Sequence, residues 1–280
     1  FVMIGDHKQL PAVVQQEACD SVVKDEGLRS IGLEDCRESL FQRLLRINDN
    51  PSLVFHFRHQ GRMHPEVARF ANETFYEGIL DPVPLPHQKR TLQFETVDAD
   101  NPFQKALSTH RLLFIPSYQP KERVLPKANL VEAELIAETV KAVYDLYCQN
   151  NMKFEPNETI GVIVPYRHQI ALVRNLLLQN RVEALGEITI DTVERFQGSQ
   201  RNVIIFGFTV QMPYQLDFLC AQTFCENGIE IDRKLNVAMT RAKEQLVLIG
   251  NPSLLKENPV FRKLLRFVKT MTLNLALSDQ

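Results

Sequence analysis

The sequence predicts an α/β protein built on a mainly parallel sheet with helices on both faces, and three observations predict it. Apolar runs of strand length recur at 53–57, 112–115, 160–164, 188–190, 203–210 and 246–249, and most end on Pro, Gly, Asp or Asn. The runs are continuous rather than alternating, which is the pattern of strands buried on both faces. Helical stripes lie between them, and strands alternating with helices make a doubly wound sheet.

Taken in order, Phe1-Val2-Met3-Ile4 reads as a strand running into a Gly5-Asp6 turn, and residues 39–45 read as a helix. A strand at 53–57 follows. His64 then precedes a helix with Pro65 at its first position, where a missing N–H costs nothing. Residues 81–110 are rich in proline and polar side chains and read as an irregular surface excursion. Beyond the strand at 112–115, Leu130, Ala133, Ala137, Val140, Tyr144 and Tyr147 recur at helical steps. Asn129 is their N-cap, with Glu132 as its capping-box partner. Ile170, Val173, Leu176 and Leu177 make a second stripe, and Val260, Leu264, Leu265 and Val268 a third. The polar stretch 211–232 reads as a loop over the sheet edge.

Composition bounds the function. A chain of 280 residues with 44% hydrophobic content can bury a sizeable core. The net charge of −2 gives no basic field, so any nucleic-acid contact must come from particular residues and amides. Five cysteines without a C-x-x-C spacing argue against a disulfide framework or zinc site, and for a reducing, intracellular compartment. That compartment is the cytoplasm, or the nucleus in a eukaryote. No apolar run reaches the roughly 20 residues of a membrane span. The histidines form no metal-binding spacing, so no metal ligand is assigned within the chain.

Three separated stretches carry the chemistry: GDHKQLP at 5–11, ERFQGSQ at 194–200 and LNVAMTRAK at 235–243. They set a glutamine, a glycine turn and an arginine beside strand ends, the ligand edge of open α/β sheets. Phosphoryl transfer needs positioned cations and donors more than a protein nucleophile, and arginine supplies a permanent charge on a bidentate fork. Arg62 and Arg241 are the candidates. Lys234, Val237, Ala238 and Arg241 share one helix face, and the small Ala238 leaves room for another domain to approach. Gln9, whose amide both donates and accepts, is placed to sense a terminal phosphate, with Asp6 orienting it or capping the turn. Gly198 offers a turn where backbone can come close to a phosphate or ribose.

In order and spacing these stretches resemble motifs III, V and VI of superfamily 1 helicases. The likeness is to the branch containing the nonsense-decay RNA helicase and the Okazaki-fragment helicase-nuclease. Gly61-Arg62-Met63-His64-Pro65 resembles that branch's motif IV, with Gly61 in place of the usual aromatic. The stretches at 75–78, 164–167 and 249–252 match as well, so the likeness covers nearly the whole chain. It implies a RecA-like, P-loop NTPase-type fold, with 1–50 as the end of a first RecA-like domain and 51–280 as a second. It implies that Arg62 and Arg241 reach the γ-phosphate of ATP and that Gln9 reports its loss. Gln200 stands where the family often has a ribose-binding glutamate, and Glu194 and Arg195 also depart from the usual motif V. Thr192, Pro165, Tyr166 and Arg167 are implied to grip single-stranded nucleic acid.

The chain contains no G-x-x-x-x-G-K-[ST] loop and no Asp-Glu pair after a strand, the groups that hold nucleotide phosphates and magnesium. It therefore reads as the C-terminal motor portion of a longer ATP-dependent helicase. ATP and Mg2+ are its cofactors, and the magnesium ligands belong to an upstream first RecA-like domain. By itself the chain is expected to be inactive. The expected substrate is DNA, with RNA as the alternative, and polarity follows only from the resemblance. A helicase-derived interaction module would predict decayed arginines, whereas Arg62 and Arg241 are both present. A nuclease would need clustered carboxylates, which are not spaced here to hold a metal.

Overall fold

The computed structural model describes residues 1–17, 19–48, 50–118 and 124–272. The chain divides into two compact units, Phe1–Arg58 and His59–Gln280.

In the first unit, helix Glu26–Ser30 is capped by Asp25, which accepts from the Leu28 amide at 2.8 Å. The expected helix near 39–45 runs Leu40–Ile47, and Ser39 Oγ accepts from the Gln42 amide at 3.1 Å. Arg46 braces that helix with a 2.8 Å bond to Glu38. Two expected strands do not form. Residues 1–4 are exposed coil, and 53–57 begin in the 3-10 turn Pro51–Leu53 and continue with Phe55 and Phe57 exposed. An apolar run becomes a strand only where a neighbour receives its N–H and C=O groups. Among the described residues no strand runs beside either segment.

The second unit carries six strands, β1 Leu112–Pro116, β2 Ile160–Ile163, β3 Thr189–Asp191, β4 Arg201–Gly207, β5 Ala242–Gly250 and β6 Lys269–Thr270. They form one sheet in the order β6-β1-β5-β4-β2-β3, and every neighbouring pair is parallel. Five of the seven expected strands are thus present, and β6 is an addition. The helices that matter are α1 Pro65–Phe75, α2 Leu130–Gln149, α3 Arg167–Gln179, α4 Val193–Phe196, α5 Arg233–Met239 and α6 Pro259–Phe267. One face of the sheet, with Ile115, Val162, Ile205 and Val247, shares a core with Ile136, Val140 and Val143 of α2 and Val173 and Leu177 of α3. On the other face, Phe206 meets Phe208 at 4.6 Å between ring centroids, and Phe208 meets Phe261 of α6 at 5.4 Å.

The helix starts follow from their caps. His64 Nδ1 accepts from the Glu66 amide at 3.3 Å, and Pro65 takes the first helical position as expected. Asn129 caps α2 through the Glu132 amide at 3.1 Å. The reciprocal half of the capping box is absent, because the Asn129 amide donates to Gln169 Oε1 at 2.7 Å instead. The Glu132 carboxyl accepts from Ser117 Oγ at 3.3 Å, Asn129 Nδ2 at 3.2 Å and the Thr209 amide at 2.7 Å.

The two polar stretches hold more order than their composition predicts. Within 81–110, Asp81–Pro82 pairs in parallel with His59–Gln60, and Pro86–Lys89 and Pro102–Leu107 are short helices. Within 211–232 lie helix Pro213–Leu219 and an antiparallel hairpin of Thr223–Glu226 with Ile229–Asp232. Asn227 and Gly228 close that hairpin at φ 51 and 77, the left-handed geometry a two-residue turn of this kind requires.

Candidate phosphate and nucleic-acid edges

Strand direction decides where the candidate residues fall. Arg241 immediately precedes β5, and Gly198 and Gln200 immediately precede β4, so all three lie at the amino ends of the strands. This differs from the usual ligand edge of open sheets, at the carboxyl ends. The physical reason is topological. Helices α4 and α5 follow chain segments at the carboxyl ends and run back across the sheet, delivering the residues after them to the amino ends.

At this amino edge the side chains converge on Thr240. Arg62 Nη1 donates to the Thr240 carbonyl at 3.2 Å, and Arg62 Nε donates to Gln200 Oε1 at 3.1 Å. Arg241 Nη2 donates to Thr240 Oγ1 at 2.9 Å and its Nε to the Val237 carbonyl at 3.1 Å. The Arg241 carbonyl in turn accepts from the Arg201 amide at 3.0 Å, which ties β4 to β5 at this point. The His64 amide donates to the Lys243 carbonyl at 2.7 Å, fixing the motif with Arg62 against the start of β5. Thr240 is kept in place by its own hydroxyl, which donates to the Asn236 carbonyl at 2.8 Å.

Electrostatics favour an anion here. Arg241 is only 2% exposed, and burial pulls the Arg62 guanidinium below its usual value while leaving it charged at neutral pH. Among the described residues Arg62 Nη2 donates to no protein group. Gly198 has φ +85, and a Cβ built there would meet nothing within 4 Å. The loop before β4 therefore stays open to a ligand, and its glycine is fixed by backbone conformation rather than by crowding. Asp232, whose carboxylate accepts from the Leu235 amide at 2.9 Å, sets the start of α5, and burial pushes its pKa up to about 6. Ala238 is fully buried, so it packs inside the unit and leaves no room for another domain at that position.

The other candidates lie at the opposite end of the sheet. Pro165, Tyr166 and Arg167 follow β2, Thr192 follows β3, and the Val164 amide bonds the Asp191 carbonyl at 3.1 Å to hold the two turns together. Arg167 is exposed at the start of α3. The Thr192 hydroxyl caps nothing on α4, while its backbone carbonyl accepts from Arg195 at 3.1 Å and Phe196 at 3.2 Å. Tyr166 stacks on Phe218, and burial raises its hydroxyl above the ordinary tyrosine value. Gln9 and Asp6 lie in the first unit. There Asp6 does both expected jobs, accepting from Gln9 Nε2 at 2.9 Å and from the Lys8 amide at 3.0 Å.

Sequence reasoning missed Thr240, Phe218 and the burial of Glu132. Thr240 sits inside LNVAMTRAK and is readable as a helix-ending hydroxyl beside the arginine. Phe218 carries no local signal, since an aromatic in a polar stretch looks the same whether or not it is stacked. Among the described residues no group of three or more His, Cys, Asp or Glu is placed to hold a metal ion, and no helix is long and apolar enough to cross a membrane.

Known proteins share this sequence along nearly its whole length. The chain is 28% identical over 297 residues to the DNA replication ATP-dependent helicase/nuclease DNA2 of Bos taurus, covering 96% of this chain and 24% of that protein. It is 29% identical over 275 residues to the Regulator of nonsense transcripts 1 homolog of Drosophila melanogaster, covering 96% of this chain and 20% of that protein. An uncharacterized ATP-dependent helicase of Methanocaldococcus jannaschii is 26% identical over 280 residues, covering 97% and 35%. The chain thus spans about a fifth to a third of the length of these relatives. Among solved structures, the C-terminal domain of a possible DNA helicase from a Lactobacillus superposes with a TM-score of 0.40 at 9% identity, covering 76% of this chain and 99% of that one. The family model described as an AAA domain (AAA_12) matches residues 36–253, most of the sequence. The chain belongs to the AAA domain family, among relatives that are superfamily 1 helicases of the DNA2 and nonsense-transcript-regulator branch.

Proposed function

We propose that the chain is the C-terminal motor portion of an ATP-dependent DNA helicase, coupling ATP hydrolysis to translocation along a single strand. The observation that carries it is the convergence of Arg62 and Arg241 on Thr240 at the amino edge, where Gln200 accepts from Arg62, with Tyr166, Arg167 and Thr192 at the opposite edge. Helices α4 and α5 run between the two edges, and Lys234 of α5 lies 3.7 Å from Glu194 of α4. A change at one end has a short path to the other.

The donor set fits a polyphosphate: two guanidinium groups, an amide side chain and an open glycine turn. ATP, when bound, supplies the γ-phosphoryl group whose transfer to water drives the motor. Arg62 would turn its Nη2 toward the phosphate oxygens, and Arg241 would stabilise charge that grows during transfer. Gln200, as an amide, would donate or accept at the ribose. Gln9 would sense the terminal phosphate, and we assign residues 1–50 as the end of a first RecA-like domain and 51–280 as a second. We place the magnesium ligands and the phosphate-binding loop in an upstream first RecA-like domain, because the sequence lacks a G-x-x-x-x-G-K-[ST] loop and an Asp-Glu pair after a strand. On this reading the chain by itself does not turn over ATP. The five cysteines without paired spacing are the reason to place it in a reducing, intracellular setting.

DNA is the preferred track because the GDHKQLP form resembles the DNA-processing members. The relative named for nonsense transcripts, at 29% identity, keeps RNA as a second reading. The test of the motor assignment is nucleic-acid-stimulated ATP turnover in the full-length protein. Arg62→Ala and Arg241→Ala should each lower it by about 10³–10⁵ while changing nucleotide affinity far less. Near-normal turnover in both would reduce them to structural arginines.

A further inference from the structure

At the carboxyl edge Tyr166, of the 164–167 stretch, is paired with Phe218, an aromatic outside every matched stretch. Tyr166 and Phe218 stack with ring centroids 5.3 Å apart and planes 19° from parallel. Phe218 comes from helix Pro213–Leu219 and is still 47% exposed, and Tyr214 of the same helix is 56% exposed. Lys234 Nζ lies 4.3 Å from the Phe218 ring centroid and donates to the Phe218 carbonyl at 3.4 Å. Phe218 is therefore held by α5, whose start is capped by buried Asp232. A stacked pair that keeps exposed ring surface, fixed from a separate helix, has the shape that accepts another flat π-system.

We propose that Tyr166 and Phe218 form a stacking platform for one unpaired base of single-stranded nucleic acid, with Phe218 setting the plane of the Tyr166 ring. This rests on the reading of the carboxyl edge as the nucleic-acid track. The occupant is a nucleotide rather than an apolar peptide because exposed Arg167 directly follows Tyr166, setting a phosphate partner beside the ring. Base stacking is tolerant of sequence, which suits a motor that meets every base in turn. Lys234 is already faced by Glu194 at 3.7 Å. The platform therefore adds little net charge, and its contribution should not depend on salt.

The test uses the full-length protein, titrated with unpaired oligonucleotides that carry single 2-aminopurine substitutions. Phe218→Ala and Tyr166→Ala should weaken binding about 5- to 150-fold, abolish fluorescence quenching at one position and leave the salt slope unchanged. Phe218→Tyr and Tyr166→Phe keep a ring and should keep both signals, and matched thermal melts establish that all four variants fold. Equal loss in Phe218→Tyr and Phe218→Ala overturns the platform. So does retained affinity and quenching in Phe218→Ala while Arg167→Ala still lowers the salt slope, an outcome that leaves the track itself intact. If the unsubstituted protein does not bind, or neither Arg167→Ala nor Thr192→Val changes binding, the track reading fails and the platform with it.

Discussion

Arg62 and Arg241 hold one residue from two sides, Arg62 through the Thr240 carbonyl at 3.2 Å and Arg241 through the Thr240 hydroxyl at 2.9 Å. The two guanidinium groups come from sequence positions far apart, yet both bond the same short turn between α5 and β5. On the proposed reading this shared partner would preorganise both groups for electrostatic stabilisation of a transferring phosphoryl group.

Arg62→Lys and Arg241→Lys should therefore rescue poorly. A lysine keeps the charge and loses the fork, so it can meet the protein acceptor or the ligand but cannot bridge them in one plane. Turnover in each lysine variant of the full-length protein should stay closer to the alanine variant than to the unsubstituted protein. Steady-state kinetics of the three forms decide it.

Thr240→Val tests the shared hinge. Valine preserves the shape, leaves the carbonyl for Arg62 and deletes the hydroxyl that receives Arg241 and donates to the Asn236 carbonyl at 2.8 Å. Leaving such buried partners unmet costs on the order of 1–3 kcal/mol. A lowered urea midpoint together with a kcat loss and little change in nucleotide affinity is expected. A kcat unchanged within about twofold would show that Arg241 needs no help from Thr240.

The sheet is legible because strands buried on both faces leave continuous apolar runs, as at 160–164 and 246–249. The same rule fails at 53–57, where Phe55 and Phe57 stand exposed. Periodicity reports apolar character and cannot report whether a partner strand is near. The Asn227-Gly228 pair is a readable hairpin signal inside a stretch whose composition otherwise reads as loop. The candidate residues are legible as motif stretches, but their division between two edges of the sheet is not. That division depends on which way α4 and α5 run across the sheet, a tertiary fact with no local trace. Glu132 is legible at the start of α2, but its side chain answers to Thr209, 77 positions away, and no capping rule reaches that far.

Glu132 gives a prediction in pH. Full burial pushes its pKa up to about 8 against the opposing hydrogen bonds from Thr209, Ser117 and Asn129. Between the ordinary carboxylate value and about 8, the folded chain keeps a proton that the unfolded chain has released. Its contribution is therefore largest at low pH and is lost as pH rises toward 8, at about 1.4 kcal/mol per unit at most. Asp232, raised to about 6, acts in the same direction over a lower window. Glu132→Gln should flatten the fall in melting temperature between about pH 6 and pH 8. An identical slope in the variant would assign that pH dependence to other groups.

Binding along the carboxyl edge should depend on Thr192 and Arg167 without depending on sequence. On the proposed motor reading the chain must grip what every nucleotide shares, and with net charge −2 it must do so with individual donors rather than a broad basic field. Thr192 is suited to this because its hydroxyl is not spent on capping α4, and Arg167 because it is exposed at the start of α3. Thr192→Val keeps the shape and removes the hydroxyl, so affinity should fall evenly across unrelated oligonucleotides. Arg167→Ala should also reduce the slope of log affinity against log salt by about 1, as expected when one phosphate is no longer neutralised. Titrations of the full-length protein on several sequences at several salt concentrations separate the two effects. A loss confined to one sequence would mean that bases rather than phosphates are read here. Unchanged affinity and slope in both variants would place the track on another edge of the sheet.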